Sequence, residues 1–129
     1  MEIREVKLVD VKCEILRERL ERAKSGRTVE YVVIINDAEV AALSYEDWSE
    51  KSLGFIYEIF LLKQYRNKGL GSKILEFAEK KAIELKCQKI ELDAHPLDEH
   101  TEQNWLFSWY EKKGYTREKS SERMYKTFE

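Results

Sequence analysis

These 129 residues hold only two cysteines, Cys13 and Cys87, far apart and without a CxxC partner. That argues against a metal site, and two separated thiols read as free cysteines of a reducing cytoplasm. No run of 18 apolar residues is present to span a bilayer, and the opening MEIREVKLVD lacks the apolar core of a secretory signal. An excess of one charge is missing too. Lys and Arg number 23 against 25 Asp and Glu, and a net charge of −2 offers nothing to nucleic acid. There is no internal repeat, low-complexity stretch or linker. What remains is a cytoplasmic globule with neither a membrane nor a nucleic-acid partner.

The length suits one domain spanning residues 1–129, long enough for a real core. The 43% hydrophobic fraction, with three Trp, seven Tyr and five Phe, argues for tight packing. Ile3 to Val9 alternates as a first strand, and Asp10 is placed to cap a helix through about Lys24. Its apolar stripe is Val11, Ile15, Leu16, Leu20 and Ala23. Val29 to Ile35 is a dense β-branched strand, Asn36-Asp37 a tight turn, and Ala38 to Tyr45 the hairpin partner. Glu46 to Ser52 reads as a polar loop. Later come a strand at Lys89 to Ala94, stopped by His95-Pro96, and an acidic connection at Leu97 to Glu102. A helix from about Gln103 to Lys113 follows, ended by Gly114, then a hairpin of Tyr115-Thr116 with Arg123 to Phe128. The order predicts an α/β fold around a mixed sheet.

The rest is organised around residues 55–85. Phe55 to Leu62 is apolar without alternation, which predicts a central strand buried on both faces. A glycine-containing turn, Lys63 to Gly71, leads into a helix with Ile74, Phe77, Ala78, Ala82 and Leu85 on one face. A helix start presents unpaired N–H groups and a positive dipole end, worth about 0.3–1 kcal/mol per favourable charge. Gly69 and Gly71 would let a phosphate approach the backbone with no Cβ in the way. The stretch is therefore an anion cradle. Neither GxxxxGK[ST] nor GxGxxG is present.

Arg66-Asn67-Lys68-Gly69-Leu70-Gly71, between a strand and a helix, resembles the Arg/Gln-x-x-Gly-x-Gly/Ala signature of the GNAT superfamily of N-acetyltransferases. The predicted element order is similar to the GNAT topology from end to end. That implies a single-domain fold with a mixed, mostly antiparallel central sheet flanked by helices. There is room for only one helix between the first two strands, where many members have two, so the N-terminal helical region is shortened. The resemblance implies acetyl-CoA as co-substrate. Arg66, Gly69, Gly71 and Ser72 map onto its pyrophosphate loop, and Asn67, Lys68 and Leu70 supply further amides. Leu61 and Leu62 fall where backbone groups would bond the thioester carbonyl and the pantetheine arm.

Acetyl transfer needs an amine stripped of its proton, which costs about 4.6 kcal/mol at pH 7 for a pKa near 10.4. A carboxylate within reach can take that proton. Glu58, an acid inside an apolar strand, is the candidate base, against the plain alternative of a strand-edge glutamate paired with a lysine. Trp109-Tyr110-Glu111-Lys112-Lys113-Gly114-Tyr115 resembles the family's Leu-Tyr-Glu-Lys-x-Gly-Phe segment, which puts Tyr110 on its general acid. A phenol can protonate the departing thiolate and stay neutral at pH 7. The family's asparagine seven residues earlier meets Gln103 here, with Asn104 one residue late. Asn104 is taken as the coenzyme contact, and Gln103 remains the alternative. His95 is either a capped strand end or a second route for the proton, and His100 a solvated residue. Glu46, Asp47, Asp98, Glu99 and Glu102 would suit a cationic acceptor.

The expected activity is acetyl transfer from acetyl-CoA to a primary amine, of a small molecule before a protein lysine or N-terminus. It proceeds by direct attack, since neither cysteine lies in a nucleophile motif. The rival is a non-catalytic acyl-CoA sensor. Trp48, Trp105 and Trp109 either fill a core or form an interface, such as that of a homodimer.

Overall fold

A computed structural model describes residues 1–96 and 101–128. His100, Asp98 and Glu99 lie outside these described residues. Seven strands form one sheet in the order β1-β2-β3-β4-β5-β7-β6. They are β1 (Glu2–Glu5), β2 (Thr28–Ile35), β3 (Ala38–Trp48), β4 (Leu53–Leu61), β5 (Lys89–Asp93), β6 (Thr116–Arg117) and β7 (Arg123–Thr127). Every neighbouring pair is antiparallel except β4 with β5. The helices are α1 (Glu14–Ala23), α2 (Leu70–Glu84) and α3 (Gln103–Lys112). The expected order of elements is found, with a single α-helix between β1 and β2. None of the described helices is long and apolar enough to cross a membrane.

Three boundaries differ from expectation. The first strand stops at Glu5, and Leu8–Asp10 coils into a 3-10 turn. Asp10 therefore does not cap α1. Cys13 occupies the cap position without a side-chain bond, and Glu39 does the work from β3. Its carboxylate accepts the N–H groups of Lys12 at 3.2 Å and Cys13 at 2.6 Å, at the helix end where a negative charge is favoured. Nor is all of Glu46 to Ser52 a loop, although Ser49–Lys51 turns as a short 3-10 connection. Glu46, Asp47 and Trp48 continue β3, paired with Phe55, Gly54 and Leu53. Glu46 accepts the Trp48 indole N–H at 3.0 Å, and Asp47 accepts the Ser49 N–H at 2.9 Å. Polar side chains answered by close donors sit in a strand without cost. Asn36 and Asp37 have φ of +50° and +66°, as a two-residue hairpin matched to strand twist requires.

The two faces of the sheet are covered unequally. Ile74, Leu75, Ala78 and Ala82 of α2, with Phe107 and Tyr110 of α3, pack on Tyr31, Val33, Leu43, Tyr45, Ile56, Ile90 and Leu92. On the other face α1 alone sets Leu16 and Leu20 against Val32, Ala42 and Val11. Each such buried aliphatic stabilises the fold by about 1.5–3 kcal/mol. Gly54 is fixed by packing, because a Cβ there would run into the Tyr45 hydroxyl and lie 3.1 Å from the Ala82 Cβ. Ile15 is exposed rather than part of the α1 stripe, and Leu85 ends α2 partly exposed.

Candidate active site

The strand expected to be central is central, the fourth of seven. It is not buried on both faces, for only Gly54 and Ile56 of β4 are buried and Tyr57 is half exposed. The physical reason is a parting of the sheet. β5 runs beside β4 only from Leu53↔Lys89 to Ile56↔Leu92. At that point β4 slips register, Tyr45 facing Ile56 but Ser44 facing Glu58. Tyr57 is thus the extra residue of a bulge, which bends a strand and sharpens its twist. β5 meanwhile turns away. The Ala94 N–H bonds the Glu122 carbonyl at 2.8 Å, and the His95 N–H folds back to Asp93 at 2.9 Å. A seam opens between β4 beyond Glu58 and the end of β5.

Backbone polarity in the seam follows from strand alternation. The Leu62 N–H bonds the Val40 carbonyl at 3.0 Å, and its carbonyl takes the Tyr65 N–H at 2.9 Å. Both groups of Leu62 are thereby occupied, and its amide faces β3, not a ligand. Leu61 must face the other way. Its carbonyl receives the Arg66 Nε at 3.1 Å, and its N–H is turned to the same edge, into the seam.

Below the seam the chain forms the predicted turn. Lys63–Tyr65 is a 3-10 turn, Asn67 has φ +61°, and Gly69 caps α2 with φ +80°. No side chain caps α2, so the first N–H groups, at Leu70, Gly71 and Ser72, have no intrahelical or capping partner. A Cβ on Gly69 would meet nothing within 4 Å, so glycine is needed there for its φ alone. Gly71 has ordinary helical φ, and a Cβ there would rest 3.7 Å from the Trp109 ring. Arg66 ties the loop to the strand end, its guanidinium 5.7 Å from the Phe60 ring centre. Lys68 is exposed, 5.9 Å from the Tyr65 ring. The Leu70 side chain is core.

Glu58 shares the α1 face with Phe60. Its Oε2 accepts Arg19 Nε of α1 at 2.8 Å, and the Arg19 guanidinium lies 4.8 Å from the Phe60 ring. The side chain is only 13% exposed. The partner is an arginine where a lysine was the alternative considered. One oxygen is committed, while Oε1 makes no bond among the described residues. Sequence reasoning missed Arg19, since nothing marks one basic residue of a charged helix as the partner of a strand 39 positions away. The bulge residue Tyr57 was missed as well.

The far lip belongs to α3. The Gln103 side-chain amide donates to the Ala94 carbonyl at 3.2 Å, tying the helix start to the end of β5. Asn104 is exposed, on the α3 stripe of Ser108 and Glu111. At its other end, α3 closes with Gly114 at φ +97°. There the Gly114 N–H bonds Glu111 at 3.0 Å and the Tyr115 N–H bonds Tyr110 at 3.1 Å, a Schellman cap that requires glycine. This pins Tyr110 between Trp109 and Tyr115, ring centres 4.9 and 5.6 Å away. Burial pushes its phenol up to about 12. It is therefore neutral at pH 7, and handing its proton to a thiolate of ordinary pKa (about 8.5) is uphill by about 5 kcal/mol. Tyr110 lies on the α2/α3 face and Glu58 on the α1 face.

His95 pairs Nδ1 with Glu122 Oε2 at 3.0 Å, largely exposed beyond β5. A shallow hollow of about 120 Å³ beside the cradle is lined by Tyr65, Lys68, Leu70 and Lys73. A larger one, about 780 Å³, lies away from the seam, between β1 and the β2–β3 turn, with charges of both signs. Trp109 packs beside Gly71, Trp48 lies under Arg27 at 3.6 Å, and Trp105 is exposed.

A family model described as the acetyltransferase (GNAT) family matches residues 7–115. No curated sequence matches the chain. Among solved structures, an IAA acetyltransferase from Bacillus cereus superposes with a TM-score of 0.76 at 16% identity, covering 98% of this chain and 99% of that one. PaiA N-acetyltransferase from Thermoplasma acidophilum, in complex with coenzyme A, gives 0.70 at 16% identity over 98% of each chain. The ribosomal-protein-S18-alanine N-acetyltransferase from Escherichia coli gives 0.71 at 12%, covering 98% and 92%. At such identities the likeness is one of fold.

Proposed function

The chain belongs to the GNAT family of acetyltransferases, and from that premise we propose that it acts as a single domain moving the acetyl group of acetyl-CoA to a primary amine of a small molecule. The observation that carries the reading is the seam, with a carboxylate on one face, a buried phenol on the other and the Leu61 N–H between them. The pyrophosphate lies on the amides of Leu70, Gly71 and Ser72, flanked by Asn67, Lys68 and Gly69, with Arg66 holding the loop to β4. The pantetheine arm enters the seam, and the Leu61 N–H meets the thioester oxygen as charge gathers on it. The acceptor approaches from the α1 face. Glu58 Oε1 takes the ammonium proton, the amine attacks the carbonyl carbon, and the C–S bond breaks with its electrons going to sulfur. Tyr110 gives a proton to that sulfur, and the second proton, which the attacking nitrogen sheds as the amide forms, restores the phenol.

A screen following thiol release from acetyl-CoA tests this. The panel is 1,4-diaminobutane, free lysine, glucosamine and a lysine-containing peptide. Turnover with at least one of the small amines is expected, and turnover with none of the panel overturns the reading. A polypeptide acceptor is the second reading, because α1 is the only α-helix described on its face. Phe55 and Tyr125 are left partly open beside β5. Preference for the peptide over every small amine would select it.

A further inference from the structure

Arg19 and Glu58 share a single hydrogen bond where the two side chains could make a pair. Arg19 Nε donates to Glu58 Oε2 at 2.8 Å, whereas a guanidinium fork often meets both oxygens of a carboxylate. Glu58 Oε1 and the Nη1 and Nη2 groups of Arg19 make no hydrogen bond among the described residues. Glu58 is the only ion-pair partner of Arg19 there. The other carboxylate of the row, Glu30, lies beyond Ser44, and its buried Oε2 has no hydrogen-bond partner.

The two charges are held in place. The Arg19 guanidinium lies 4.8 Å from the Phe60 ring centre, and the side chains are 21% and 13% exposed. A fixed, largely covered cation beside the base is a poor neighbour for a diamine, whose second ammonium it repels. It suits an anion instead, because a guanidinium takes a carboxylate through paired N–H groups.

We infer that the acceptor is a free α-amino acid, an inference that rests on Glu58 being the base of the proposed acetyl transfer. The α-ammonium group donates to Glu58 Oε1, and the α-carboxylate accepts from the Nη groups of Arg19. Both charges of such a molecule sit on one carbon, which matches an acid and a guanidinium already in contact. Acetyl-CoA and the zwitterion give an N-acetylamino acid, the coenzyme A thiol and one proton. An N–C bond forms to the acetyl carbon, and its C–S bond breaks. Ile15, one helical turn before Arg19, and Tyr57, next to Glu58, are the nearest exposed large apolar side chains along the chain. They favour an amino acid with an apolar side chain.

The test follows thiol release from acetyl-CoA with L-leucine, L-methionine, L-phenylalanine and L-lysine. Each is matched with its α-amide and with the amine that lacks the carboxyl group. For the best acid, kcat/KM should exceed that of both matched compounds about tenfold or more, as charge-assisted hydrogen bonds imply. Arg19→Gln should bring that ratio close to one by raising the KM for the acid. Its effect on Glu58 falls on all three compounds alike, so a merely structural Arg19 would leave the ratio unchanged. Arg19→Lys, a point charge without the fork, should fall between. If Arg19→Gln fails to fold, the ratio in the parent carries the test. A parent that acetylates amines or amides as well as the acids, or an Arg19→Gln variant that keeps the preference, overturns the amino-acid acceptor alone. Turnover of no amine and no amino acid overturns the proposed function, and this inference with it.

Discussion

The two faces of the sheet do different jobs. Under α2 and α3 lies a broad apolar layer in which four tyrosines, Tyr31, Tyr45, Tyr110 and Tyr115, are embedded. Under α1 the apolar layer is small, and it is cut by the row of Glu30, Ser44 and Glu58. β4 serves both, giving Ile56 to the first and Glu58 and Phe60 to the second. One face supplies stability and the phenol. The other holds the Glu58 carboxylate against Arg19, and a bulge where they meet opens the sheet.

The largest effect expected is that of alkali on the tyrosine-bearing face. Burial pushes Tyr31 and Tyr110 up to about 12, and pushes Tyr45 and Tyr115 up further, Tyr115 helped by Glu79 against its hydroxyl. A raised folded pKa means the folded state holds protons that the unfolded state has lost. Stability should be flat up to about pH 10, where an unfolded tyrosine titrates, and fall from there to pH 12. Tyr110 alone accounts for about 2 kcal/mol of that loss at pH 12. Urea midpoints measured from pH 8 to 12 check this; a midpoint unchanged at pH 11.5 would contradict it.

On the opposite face the large effect is on rate. Glu58→Gln should cut acetyl transfer about 10²–10⁴-fold while coenzyme A still binds by calorimetry. A pure sensor would lose nothing. Next comes the contact between layers, where Gly54→Ala would overpack Tyr45 and Ala82 and cost about 1–3 kcal/mol in urea unfolding. The cradle gives the smallest and most selective pair. Gly69→Ala forces φ +80° on a residue with a Cβ, worth about 1 kcal/mol. Gly71→Ala, at ordinary helical φ with room for a Cβ, should cost nothing and gain up to about 1 kcal/mol. Equal stability losses for the two would remove the distinction.

Much of the fold was legible because its signals are local. The hairpin at Asn36-Asp37, the Gly114 cap and the strand-turn-helix at Gly69 each depend on residues within a few positions. Contacts distant in sequence were not legible. Glu39 capping α1 displaced Asp10 from that role, and Glu46 and Asp47 entered a strand because nearby donors satisfy them. The same limit applies at the site. Glu58 stood out as an acid in an apolar run, but Arg19 became visible only once α1 was laid on the sheet. The strand register then separated Leu61 from Leu62, and the bond from Gln103 to the Ala94 carbonyl emerged only with α3 in place.

Amide hydrogen exchange, residue by residue, with and without saturating acetyl-CoA, tests the seam most directly. The Leu61 amide and those of Leu70, Gly71 and Ser72 should slow on binding. Leu62, already bonded to Val40, should not change. Exchange at Leu61 unaltered by the ligand, or slowed no more than at Leu62, would contradict a thioester seated where β4 and β5 part.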